Sequence, residues 1–147
     1  MGKRRKSREL ALKVLFFMEF IDIEPENAIE IIFNNFEIPE ELKEFSEDLV
    51  IGVSINKEKI DSYISEASIN WRLERMNKVD KNLLRMGVYE LLFREDIPPK
   101  VTINEAVEIG KQYGTEDSGA FINGVLDSIY NRLKREGLLK KLDSNQD

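Results

Sequence analysis

At 147 residues, 41% apolar and 34% charged, the chain is long enough for one domain that buries its own core without disulfides or a structural metal. It contains neither cysteine nor histidine, which excludes thiolate chemistry, cysteine-ligated zinc and the commonest general base. The formal net charge of −6 hides an asymmetry: residues 1 to 13 hold Lys3, Arg4, Arg5, Lys6, Arg8 and Lys13 against Glu9, a net of +5, which leaves −11 for the rest.

An acidic body repels polyanions, so nucleic acid is held only where positive charge is concentrated, and with steep salt dependence. The alternative for "GKRRKSREL", residues 2 to 10, is a solvated basic tail. Its continuation weakens that alternative, because Leu10, Val14, Phe17, Met18 and Ile21 recur at helical spacing and fuse the basic run to an amphipathic helix. Ser7 reads as part of an exposed first turn.

Pro25 suits a first helical turn followed by the stripe Ala28, Ile29, Ile32, Phe33 and Phe36. Pro39 starts a third helix with the stripe Leu42, Phe45, Leu49 and Val53, in which Gly52 implies close packing. Asn56 caps a shorter helix (Ile60, Tyr63, Ile64, Ala67) that breaks near Ser68 to Trp71. From about Asn77, Val79, Leu83, Leu84, Met86, Val88, Leu91 and Leu92 cover too much circumference for a surface helix, so this one is central.

"DIPPK" ends the central helix. Thr102 and Glu105 have capping-box spacing, which starts the next helix there. It stops at Gly114, read as a left-handed cap. Thr115 or Asp117 caps a last helix carrying Phe121, Ile122, Val125, Leu126, Ile129 and Leu133 and ending near Gly137. Residues 138–147 read as a frayed tail. No period-two alternation is present, so the expected fold is all-α, a compact bundle of about seven helices.

"GTEDSGAF", residues 114 to 121, has phosphate-loop glycine spacing, but Ala120 and Phe121 stand where lysine and Ser/Thr are required and no strand precedes it. Gly119 and Gly124 are better read as points of close backbone approach. The surface carboxylates converge on no nucleophile and no metal-ligand spacing, so no enzyme activity, cofactor or metal is expected. Arg75, Lys78 and Lys81 step by three around a second basic face beside Trp71, the only tryptophan. Either Trp71 packs in the core beneath a solvated face, or it is exposed as a base-stacking platform beside phosphate contacts.

The segments "RELALKVLFFMEF", "LVIGV", "WRLERMNKVDKNLLRMGVYEL", "IPPKVTINEAVEIGKQYG" and "EDSGAFINGVLDSI" resemble, in order and spacing, the blocks of the bacterial NusB transcription antitermination factors. The resemblance spans about residues 4 to 130. It implies two antiparallel helical subdomains, about 1–70 and 71–137. It also implies binding to the boxA element of nascent ribosomal RNA leader transcripts as a heterodimer with NusE, a small-subunit ribosomal protein. That complex assembles with other Nus factors and RNA polymerase into a termination-resistant form.

On this resemblance Lys3, Arg4, Arg5, Lys6 and Arg8 contact RNA, with Arg75, Lys78, Lys111, Tyr113 and Phe121 as further RNA candidates. Phe16, Glu19, Asp80 and Arg85 match positions near the NusE-facing surface. Many family members carry tyrosine where this chain has Phe16, so a hydroxyl hydrogen bond there is missing. The same domain is appended to certain ribosomal RNA cytosine methyltransferases, whose cysteine nucleophile this chain lacks. A helical adaptor without RNA binding of its own is the alternative from a different class, and a homodimer that hides the RNA surface is compatible with exposed aromatics. The short apolar runs and the charged N-terminus point to a cytoplasmic protein.

Overall fold

A computed structural model describes residues 2–139; most of the expected frayed tail, from residue 140 onward, lies outside the described residues. Seven α-helices and one 3-10 turn are present among the described residues, and no strand. They are α1 (Lys3–Met18), α2 (Pro25–Asn35), α3 (Glu40–Ile55), α4 (Lys57–Ala67), the 3-10 turn Leu73–Arg75, α5 (Lys78–Phe93), α6 (Pro99–Tyr113) and α7 (Ser118–Arg135).

The chain divides into two compact units, one through Ile55 and one from Asn56. The expected boundary lay near residue 70. It falls earlier because α4 packs against α5 and α7, which gives its apolar face Ile60, Tyr63 and Ile64 to the second unit.

In the first unit α1 lies chiefly against α3, and α2 touches both. Ala11, Val14, Leu15, Ala28, Leu49, Val50 and Val53 are buried, each large aliphatic side chain contributing about 1.5–3 kcal/mol relative to exposure. Ile21 and Phe36, placed on apolar stripes by spacing alone, fall just beyond α1 and α2 and are exposed.

In the second unit α5 packs against α4, α6 and α7. Every residue from Asn82 to Leu91 is buried, as the wide apolar circumference predicts for a central helix. Burial includes Glu90, whose Oε1 accepts from the Thr102 hydroxyl at 2.7 Å. Thr102 is therefore a buried tie from α6 to α5 and not a helix cap. The helix starts at Pro99, because a second proline fits a first-turn position whose amide is unpaired in any case.

The side-chain cap lies instead at Asn77, which accepts from the Asp80 amide at 2.8 Å and donates its own amide to Asp80 Oδ2 at 3.0 Å. Gly114 closes α6 with φ −96°, so the expected left-handed cap is absent there. Its role is steric: an added Cβ would lie 2.8 Å from the Gly110 carbonyl oxygen. The left-handed glycine is Gly137 at φ 70°. There Gly137 N donates to Lys134 O and Leu138 N to Leu133 O, the paired bonds of a Schellman close to α7.

Candidate nucleic-acid interface

The basic run is the first two turns of α1, continuous with the buried stripe Leu10, Ala11, Val14 and Leu15. A solvated tail is thereby excluded. Positive charge at a helix N-terminus opposes the macrodipole, at about 0.3–1 kcal/mol per charge, and the first turn carries no acidic residue to offset it. The arrangement sacrifices local stability to concentrate charge.

These side chains do not all face solvent. Lys3, Arg4 and Lys6 are exposed and Arg5 is half-buried, whereas Arg8 is only 4% exposed. Arg4 and Arg8, one turn apart, lie over the Phe45 ring of α3 at 4.5 and 5.2 Å. Arg8 thus belongs to the packing of α1 on α3.

Ser7, expected in an exposed turn, is buried beside it. Its hydroxyl donates to the Leu42 carbonyl at 3.0 Å, and the Ser46 hydroxyl donates to the Ser7 carbonyl at 2.6 Å. The two bonds set the position of α1 along α3, so Lys3, Arg5 and Lys6 ride on a fixed support.

In the second unit Trp71 is 54% exposed, which removes the reading that buries it in the core. Its ring stands edge-on to half-buried Phe121 at 6.4 Å and 73°. Arg75 ends the 3-10 turn and Lys78 opens α5, with extended backbone at Met76 and Asn77 between them. The expected single helical face of Arg75, Lys78 and Lys81 is therefore broken by that extended link.

Lys111 and Tyr113 are exposed in the last turn of α6. Lys111 also fits the negative end of the helix dipole and lies 3.4 Å from Glu108. Gly119 accommodates the Lys111 stem, which would come within 3.0 Å of an added Cβ, but Gly124 has no atom within 4 Å of that position and makes no close approach.

The positions that the resemblance assigns to a protein partner differ in exposure. Phe16 is 39% exposed and edge-on to Phe20 at 5.1 Å, and Glu19 is half-buried at the end of α1. Asp80 and Arg85 are buried, Arg85 in a two-pronged ion pair with Asp61. Asp80 Oδ1 is buried without a hydrogen-bond partner.

The sequence profile of the NusB family matches residues 5–131. The chain belongs to the NusB family. It is 48% identical over 136 residues, 92% of this chain and 84% of the relative, to the transcription antitermination protein NusB of Syntrophus aciditrophicus (strain SB). It is similar to solved T. maritima NusB at 42% identity and TM-score 0.81, covering 89% of this chain and 92% of that one. A crystal structure of antitermination factors NusB and NusE in complex with dsRNA contains a chain that matches at 29% identity and TM-score 0.81, covering 90% and 98%.

Among the described residues of this NusB-family chain no group of three acidic, histidine or cysteine side chains is placed to hold a metal, and no helix is long and apolar enough to cross a membrane. Sequence spacing did not disclose a groove of about 540 Å³ between α4 and α7, lined by Tyr63, Glu66, Asp127, Asn131, Arg132 and Arg135. Arg132 lies over Tyr63 at 4.8 Å and is held above its ordinary pKa by its hydrogen bond to Glu136 and by Glu66. Its charge is already matched within the groove. Phe45 is buried as its place on the apolar stripe implies, but its contact with Arg4 and Arg8 and the bond from Ser46 to Ser7 escaped prediction, because residue type does not reveal what a side chain meets across a helix interface.

Proposed function

We propose that this chain binds the boxA element of nascent ribosomal RNA leader transcripts together with NusE and helps other Nus factors and RNA polymerase form a termination-resistant complex. The role is one of binding, exercised in the cytoplasm, with no catalytic step. The observation that carries it is the basic end of α1, presented on a docked helix in a chain that is otherwise acidic. Family membership and the NusB–NusE–dsRNA complex support RNA and NusE as its ligands. Lys3, Arg4, Arg5 and Lys6 supply phosphate contacts, with Arg75, Lys78, Lys111, Tyr113 and Phe121 as further contacts; Phe16 and Glu19 face NusE.

The test is RNA binding by the native chain and by a variant with Lys3, Arg4, Arg5 and Lys6 changed to alanine, each with and without NusE. With about four phosphates neutralised, log affinity for a single-stranded boxA-type RNA falls with log salt at a slope of about −3, and the variant flattens it. Loss that is uniform across RNA sequences identifies phosphate contacts, whereas altered base preference identifies base reading. Salt-independent or absent RNA binding, with and without NusE, would leave the chain a protein adaptor and refute the proposal.

A further inference from the structure

Resting on the RNA-binding reading, we infer that Trp71, braced by Phe121, is a stacking platform for an unpaired base of the bound RNA strand. No block of the resemblance assigns Trp71 a ligand, and the fold does not consume it. The residue is 54% exposed.

The platform is built in place. The Trp71 amide donates to the Ser68 carbonyl at 3.1 Å. The buried Ser68 hydroxyl donates to the Ile64 carbonyl at 2.6 Å and lies 3.3 Å from the Trp71 carbonyl. The turn is thereby tied to the end of α4, while the edge-on contact with Phe121 ties the indole to the first turns of α7. An aromatic ring fixed at two points and open to solvent loses little freedom when a planar base covers it.

Charge selects the occupant. Residues 69 to 78 carry Arg72, Arg75 and Lys78 against Glu74, a net of +2 in a chain of net −6. Arg72 and Arg75 are exposed, and neither engages a carboxylate among the described residues. Exposed cations beside a fixed indole match a strand that alternates phosphates and bases, and they work against a second acidic copy of this chain less than they favour a polyanion. Base stacking on a single ring also requires an unpaired base, so the platform favours single-stranded over double-stranded RNA.

Because Trp71 is the only tryptophan, it reports on its own site. Wild type, Trp71→Tyr and Trp71→Leu are titrated with a fluorescein-labelled single-stranded RNA, with and without NusE, and circular dichroism checks that each is folded. Trp71 emission is read as the difference between wild type and Trp71→Tyr. Stacking predicts quenched emission on RNA binding and affinity roughly 5- to 100-fold weaker for Trp71→Leu but only a few-fold weaker for Trp71→Tyr. The slope on log salt stays unchanged, because stacking releases no counterion.

Wild-type affinity in Trp71→Leu together with unchanged Trp71 emission overturns this inference. Where the Lys3–Lys6 alanine variant still loses binding, the RNA reading survives that result. Quenching by raised protein concentration without RNA also overturns it, in favour of a second copy covering the ring. Absent RNA binding by wild type in every condition removes the RNA reading itself.

Discussion

Arg85 of α5 and Asp61 of α4 form a two-pronged ion pair, Nε to Oδ1 at 2.8 Å and Nη2 to Oδ2 at 2.9 Å. Their side chains are 9% and 22% exposed, so water screens the pair little. The planar guanidinium fork matches both carboxylate oxygens, and one interaction joins the first helix of the second unit to its central helix. A position that resemblance placed near a partner thus has a stabilising role of its own. Arg85→Ala leaves Asp61 partly buried without its partner and is expected to lower the stability of the second unit by about 3 kcal/mol. Arg85→Lys keeps the charge but loses the fork and falls between. Urea unfolding checks this: a midpoint unchanged in both variants would restrict Arg85 to partner contact.

Inward and outward members of the basic run should behave oppositely. Lys6→Ala removes an exposed cation from a helix N-terminus, so stability is expected to change by less than about 0.5 kcal/mol and to rise if it changes. The salt slope of RNA binding should become shallower by about 0.7, the value of one phosphate contact on a single strand. Arg8→Ala strips a nearly buried guanidinium from the Phe45 ring and should cost about 1 kcal/mol of stability. Paired thermal melts and salt titrations separate the two. Equal effects of both substitutions on both measurements would contradict the division of this helix into a docking face and an RNA face.

Ser46→Ala tests whether docking of α1 matters for binding at a distance. The substitution leaves the buried Ser7 carbonyl without the 2.6 Å bond from Ser46, at about 1–2 kcal/mol. RNA affinity should fall several-fold although Ser46 is buried on α3 and cannot touch RNA, while the salt slope is kept because the phosphate contacts themselves survive. Destabilisation with RNA affinity unchanged would show that the basic turn needs no such support.

The helices were legible because their signals are local. Pro25 and Asn77 stand at helix starts, Gly137 follows the last helix, and the wide apolar stripe of α5 marked it as central. What the sequence withheld concerns pairs of helices. Thr102 followed by Glu105 imitates a cap, and only the approach of Glu90 on α5 reveals its hydroxyl as an interhelical donor. Arg8 is as basic as Lys6 by composition, and only the Phe45 ring across the α1–α3 interface distinguishes them. Spacing ranked Arg75, Lys78 and Lys81 as one face because it assumed an unbroken helix, and the extended backbone at Met76 and Asn77 breaks it. The exposure of Trp71 was likewise undecided, since tryptophan serves cores and ligand sites equally well by residue type.

Two glycines near the Phe121 helix should respond to alanine with opposite sign. At Gly114 an added Cβ would meet the Gly110 carbonyl oxygen and Ser118 Cβ, each at 2.8 Å. One is helix backbone and the other belongs to a fully buried residue, so neither can swing aside, and about 1–3 kcal/mol is lost. The hydrogen bond from Thr115 N to Ser118 Oγ, 2.9 Å, should weaken with it and loosen the start of α7. Gly124 lies exposed inside α7 with no atom within 4 Å of a new Cβ, so Gly124→Ala gains helix propensity without a clash and should add up to about 1 kcal/mol. Thermal unfolding of both variants decides it: a lowered midpoint for Gly114→Ala and a raised one for Gly124→Ala are expected. The reverse order would mean that the tight connection between α6 and α7 is not set by steric approach.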